Sequence, residues 1–158
     1  MGCVLDNGVP GTLRMTLPNG RSPVVGGAMS VQHIAASAAL VRHQLACDLA
    51  RYDLPSEAID DAVLVASELV GNAVRHTRAS ESGTLDVSWD VDTSGVRVSV
   101  GDPSDTPPSP RAAAGHETEG RGLRIVDAMS DDWGVELAAH GKTVWAHVPI
   151  RRSDHATP

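Results

Sequence analysis

The chain has 158 residues, 41% of them hydrophobic, and a formal net charge of −7, which suits one domain around one continuous core. The acidic balance opposes a nucleic-acid backbone as partner, because such partners are captured by a basic field. With no Phe, one Tyr and three Trp, the core is expected to be built mainly from Val, Leu, Ile and Ala, and stacking of aromatic side chains on bases is not expected. No run of about 18 apolar residues is present, and the start MGCVLDNGVPGTLRM lacks the basic and apolar regions of a secretion signal. A cytoplasmic protein is expected. Cys3 and Cys47 match no metal spacing and are expected to be reduced thiols.

Residues 1–29 are rich in Gly and Pro around one alternating segment, Thr12–Leu17, expected as an edge strand. From Ser30 to Tyr52, the spacing of Ile34, Ala38, Val41, Leu45 and Leu49 predicts an amphipathic helix, ended by Asp53–Pro55. Ser56 is placed to cap a second helix whose apolar stripe is Ala62, Val65, Ala66, Leu69 and Ala73, running to about His76. Glu68 and Asn72 fall just beside that stripe, so they flank the core and can face a pocket. Thr84–Val91 and Val96–Val100 alternate apolar and polar residues around Asp92-Thr93-Ser94-Gly95, which predicts an antiparallel hairpin.

Residues 103–120 are rich in Pro, Ala, Gly, Ser and Thr without periodicity, and are expected to form a long mobile loop suited to a lid. Gly122–Met129 reads as a short helix, and Trp133–Leu137 and Thr143–Val148 as strands joined at Gly141, before a frayed tail from Arg151. This order predicts an α/β fold, a two-layer sandwich with helices on one face of a mixed, mostly antiparallel sheet. The expected division is a loose segment 1–29, a folded domain 30–150 and a disordered tail 151–158.

Several polar residues stand where chemistry is feasible. Glu68 and Asn72 are four apart on one helix, so their side chains project to the same side about one turn apart. An amide oxygen is a hard donor for Mg²⁺, and a carboxylate one turn earlier can take a proton from a hydroxyl or order an attacking water. Arg75, three residues on, can help neutralise phosphate charge. Asp102 follows a strand and precedes a loop, where a carboxylate can accept from an exocyclic amine. Gly120-Arg121-Gly122 opens a helix whose free N–H groups can approach a phosphate, with Arg121 alongside. Taken singly, each has a plainer structural reading: a solvated helix edge, an Asp-Pro turn and a flexible helix entry. Arg124 and Lys142 read as solvated surface charges, His76 as packing, and the seven histidines show no metal-ligand spacing.

Three segments in this order resemble a known set. SELVGNAVRH at 67–76 is similar to the N-box, VGDPSD at 100–105 to the aspartate-bearing G1 box, and EGRGLRIVDAMSDDWGV at 119–135 to the glycine-rich G2 box of the GHKL (gyrase and histidine-kinase-like) ATP-binding superfamily. The final strand GKTVWAHVP also resembles this family's ending, so the likeness spans residues 30 to 149. It implies the Bergerat-type ATP-binding fold, with MgATP as cofactor. Glu68 would be the general base, Asn72 the Mg²⁺ ligand and Asp102 the adenine reader, while Gly120 and Gly122 would close over the phosphates with the lid.

Within the superfamily the chain looks like the small anti-sigma factors that double as serine kinases, the RsbW type, as found in actinobacteria. The resemblance implies a serine/threonine-protein kinase that phosphorylates an anti-anti-sigma (STAS-type) protein and sequesters a sigma factor, and it suggests a homodimer. One departure from the family pattern bears on activity. Many members read D-x-G-x-G in the G1 box, whereas Asp102 is followed here by Pro103, Ser104 and Asp105. Loss of those glycines bears more on lid movement than on base recognition, and leaves as the alternative a regulator that acts by protein binding alone.

Overall fold

The computed structural model describes residues 25–77, 79, 82–102, 121–139 and 141–151. In chain order these form β1 (Val25–Gln32), α1 (Ser37–Leu49), α2 (Ser56–His76), β2 (Thr84–Val91), β3 (Gly95–Asp102), α3 (Arg121–Met129), β4 (Asp132–Leu137) and β5 (Lys142–Pro149). The strands make one five-stranded sheet of order β1-β2-β3-β5-β4. Every pairing is antiparallel, so the expected mixed character is absent among the described strands.

Alternation decides which side of the sheet the helices cover. Leu85, Val87, Trp89 and Val91 on β2 and Val96, Val98 and Val100 on β3 are buried, while the residues between them are not. The helices supply the facing layer. α2 lies against β3, β5 and α3, and α1 against α2 and β1. The predicted stripes are the ones buried: Val41, Leu45 and Leu49 on α1, and Ala62, Val65, Ala66 and Leu69 on α2. Trp89, a large aromatic in this aliphatic core, satisfies its indole N–H by donating to Asp48 Oδ2 at 2.6 Å. The described elements form a two-layer α/β sandwich in which none of them covers the second sheet face, a solution that antiparallel sheets permit.

Several boundaries differ from expectation. The helix predicted from Ser30 begins only at Ser37, because Ser30–Gln32 belong to β1, whose residues pair with β2 from Val25↔Val91 to Gln32↔Thr84. Ser37 Oγ donates to the Gln32 carbonyl at 2.6 Å and closes the strand-to-helix corner. Ile34 therefore lies outside the helix and is 48% exposed. Ser56 is not the cap of α2: Pro55 holds that position and its carbonyl accepts from Ala58 and Ile59. Strand β3 runs two residues further than the alternation suggested and takes in Asp102.

The β4–β5 connection turns at Gly141, whose φ of 90° suits glycine. Cys47 is disulfide-bonded, which corrects the expectation of a reduced thiol: the lack of a metal-ligand spacing does not bear on disulfide pairing. Among the described residues no helix is long and apolar enough to cross a membrane. The expected strand Thr12–Leu17, the lid 103–120 and the tail beyond Arg151 lie outside the described residues.

Candidate functional site

The polar edge of α2 is where the sequence placed it. Glu68 and Asn72 are half-buried, on either side of the buried Leu69–Val70 pair. Asn72 Oδ1 accepts a hydrogen bond from Arg75 Nη2 at 2.8 Å. Because a guanidinium carries donors only, the amide end facing it must be the oxygen. The other end, Nδ2, is buried without a hydrogen-bond partner. A buried unpaired amide costs free energy, so a fold retains one for a reason. Arg75 itself is exposed, as is His76, which corrects the reading of that histidine as a packing residue: it sits on the last turn of α2, past the end of the apolar stripe.

Asp102 terminates β3. It continues the helix-facing alternation of Val96, Val98 and Val100, and is 7% exposed. Among the described residues the buried polar side chains are Ser37, whose hydroxyl closes a corner, and Asp102, so Asp102 is the one buried carboxylate. Burying a carboxylate is costly enough that its position needs explaining. Register sets Asp102 opposite Lys142 of β5. Lys142 is half-buried, not the fully solvated charge expected, and lines with Asp102 a cleft of about 260 Å³. The rest of that cleft comes largely from outward-facing residues such as Asp86, Ser88, Ser99 and Thr143, so it opens on the face of the sheet away from α2.

α2 joins the parts. It packs on β3, the strand that ends in Asp102, and on α3, the helix opened by Arg121 and Gly122. The first turn of α3 has backbone N–H groups with no partner within the helix, which gives that end a positive field. Gly120 lies outside the described residues, and Arg121 and Gly122 enter as the backbone of that first turn. Arg124 is exposed, as expected.

No group of three or more His, Cys, Asp and Glu side chains that could hold a metal ion exists among the described residues. Mg²⁺ brought in with a nucleotide needs no such group: it keeps waters and phosphate oxygens and asks the protein for only one or two oxygens, which an amide such as that of Asn72 would offer.

The family model described as a histidine kinase-like ATPase domain matches residues 32–148. The chain belongs to this family. That span runs from the last residue of β1 to the penultimate residue of β5 and takes in Glu68, Asn72, Asp102 and the start of α3. Among solved structures, the chain is similar to the RsbU and RsbW domains of Rv1364c from Mycobacterium tuberculosis, at 25% identity and a TM-score of 0.62, over 84% of this chain and 34% of that one. This chain thus spans about a third of that structure's length. It is also similar, at 18% identity and a TM-score of 0.49, to the histidine kinase domain of a blue-light-activated histidine kinase from Erythrobacter litoralis EL346, over 73% of this chain and 60% of that one. Comparison with curated proteins gives no match. The domain has a GHKL fold like that of the RsbW-containing structure, and membership of an ATPase family implies ATP as its ligand.

Proposed function

We propose that this protein is a cytoplasmic ATP-dependent serine/threonine-protein kinase of the anti-sigma class, which phosphorylates an anti-anti-sigma protein and sequesters a sigma factor. Asp102 carries the reading, as the one buried carboxylate among the described residues, at the end of the strand on which α2 packs. In that position it accepts from the exocyclic amine of adenine, and a neutral base with a donor is the ligand a desolvated acceptor selects. The likeness to a structure containing an RsbW domain supports the choice of class.

The chain's own groups divide the work. Glu68 accepts the proton of the attacking serine or threonine hydroxyl as that oxygen approaches the terminal phosphate. Asn72 offers its amide oxygen to Mg²⁺, which when bound neutralises charge on the phosphates. Arg75 would add positive charge beside them, and the free backbone N–H groups at the start of α3 would serve phosphate oxygens, the role the resemblance gives to Gly120, Arg121 and Gly122.

Incubation with γ-labelled ATP, Mg²⁺ and a STAS-type anti-anti-sigma protein tests this. Label is expected on the partner with wild type and none with Glu68→Ala, which should still bind ATP. Undiminished transfer by Glu68→Ala would remove the general-base assignment. Capture of the partner without any labelling by wild type would instead favour the binding-only regulator, consistent with Pro103, Ser104 and Asp105 standing where many relatives have glycines.

A further inference from the structure

Three features of one turn of α2 bear on how the Asn72 amide is presented. The Arg75 side chain folds back along the helix so that Nη2 donates to Asn72 Oδ1 at 2.8 Å. It has room because residue 71 lacks a side chain: a Cβ there would stand 3.3 Å from Arg75 Nη1, 3.6 Å from Nη2 and 3.7 Å from Cζ. The opposite end of the amide, Nδ2, is buried without a partner, so burial does not hold that end through a hydrogen bond.

Glycine is the least favourable residue in a helix interior after proline, and residue 71 sits well inside the 21-residue α2. Its distance from Arg75 is four residues, the spacing at which side chains on one helix face meet. A Cβ alone would make Nη1 give slightly, and a branched side chain at 71 would crowd the guanidinium away from Asn72.

We propose that Arg75 is the positioning residue of Asn72: seated over Gly71, it fixes the amide with its oxygen on the outer side, where Mg²⁺ and the phosphates of a nucleotide are met. The inference rests on the nucleotide-binding reading above. Its chemistry is simple. An amide oxygen has two lone pairs, so a guanidinium on one leaves the other for the ion. A guanidinium also has five donors in a fork, so one can stay on Asn72 while another reaches a phosphate oxygen. Without it the amide can turn, placing its N–H₂ outward, and an N–H₂ group is no ligand for a hard cation.

The experiment follows Mg²⁺ titrated by calorimetry into the ADP-saturated protein, for wild type, Arg75→Met, Arg75→Lys and Gly71→Val, together with the side-chain amide resonances of Asn72 in the nucleotide-free proteins. Arg75→Met and Gly71→Val are expected to raise the Mg²⁺ midpoint by about threefold to tenfold, the modest range being set by the exposure of Arg75. Arg75→Lys, which keeps a donor but loses the fork, should fall between. Both Arg75→Met and Gly71→Val should displace the Asn72 amide resonances before any nucleotide is added. Normal ADP binding with an unchanged or lowered Mg²⁺ midpoint in both variants would overturn the assignment and leave the nucleotide site standing. No ADP binding by wild type would overturn the nucleotide reading and this inference with it. Thermal unfolding of Gly71→Val guards against simple misfolding, and if that variant fails to fold, Arg75→Met decides alone.

Discussion

Two polar side chains of this domain are treated in opposite ways. At the β2–β3 turn, Asp92 Oδ1 accepts from the Ser94 amide at 2.7 Å, the Ser94 hydroxyl at 2.5 Å and the Gly95 amide at 3.0 Å, so its partners all come from the next three residues. On α2, Asn72 has a bond at one end of its amide and a buried, unpartnered Nδ2 at the other. The turn aspartate is consumed by the fold, as Asx turns are. The helix asparagine gains one exposed hydrogen bond and leaves a buried N–H₂ unpaired, at a cost to the fold. The carboxylate satisfied by its own neighbours is local architecture, whereas the amide on the polar edge of α2 is only partly satisfied by the chain.

The largest expected effect lies on the ligand side. Asp102→Asn, which turns an acceptor-only carboxylate into an amide with a donor edge, should weaken ATP binding by about a hundredfold, read by calorimetry. A loss of less than about threefold would detach Asp102 from base recognition.

Asp92→Ala should destabilise the fold by about 1 kcal/mol at neutral pH, read by denaturant unfolding, after discounting for its exposure. The pH dependence follows from what surrounds this carboxylate. Burial raises its pKa, but the hydrogen bonds of Ser94 and Gly95, with the charge of His147, outweigh that and hold it below the ordinary carboxylate value. A depressed folded pKa gives stability that is present above the unfolded value and is lost as pH falls through the folded one. The penalty of Asp92→Ala should therefore shrink in acid, and a penalty that grows there would contradict the turn's role.

Asn72→Leu should behave in the reverse sense. Replacing a half-satisfied amide by an apolar side chain of similar volume should leave stability unchanged or raise it by about 1 kcal/mol, while removing the Mg²⁺ dependence of nucleotide binding. Clear destabilisation by Asn72→Leu would mean that the amide serves the fold after all, and would erase the contrast with Asp92. The smallest effect is expected at Asp90, beside the same turn, where burial raises the carboxylate pKa, Arg97 opposes this and Asp92 adds to it. A raised folded pKa makes the ionised form the less favoured one in the fold, so Asp90→Asn should be neutral or stabilising by about 0.3 kcal/mol at pH 7, with the gain vanishing in acid.

What was legible in the sequence was what repeats or is local. The stripe Ala62, Val65, Ala66 and Leu69 specified both the helix and its buried face, and the turn residues Asp92 to Gly95 specified the hairpin. Strand β1 was not legible, because VGGAMSVQ contains two adjacent glycines and carries little alternation of its own. It is a strand because β2 offers an edge to pair with, and that is a tertiary reason. The site divides along the same line. Glu68 and Asn72 could be read from their four-residue spacing. The burial of Asp102 and its pairing with Lys142 depend on the β3–β5 register, which no local pattern encodes. Arg75 was readable as a neighbour of Asn72, but no local pattern shows that its guanidinium folds back over Gly71 onto the Asn72 oxygen.

The central claim, that this domain holds ATP, is tested most directly by calorimetric titration of the purified protein with ATP in the presence and absence of Mg²⁺. The account predicts saturable binding that Mg²⁺ strengthens. Absence of detectable binding up to millimolar ATP under both conditions would contradict it and leave a GHKL fold that works by protein contact alone.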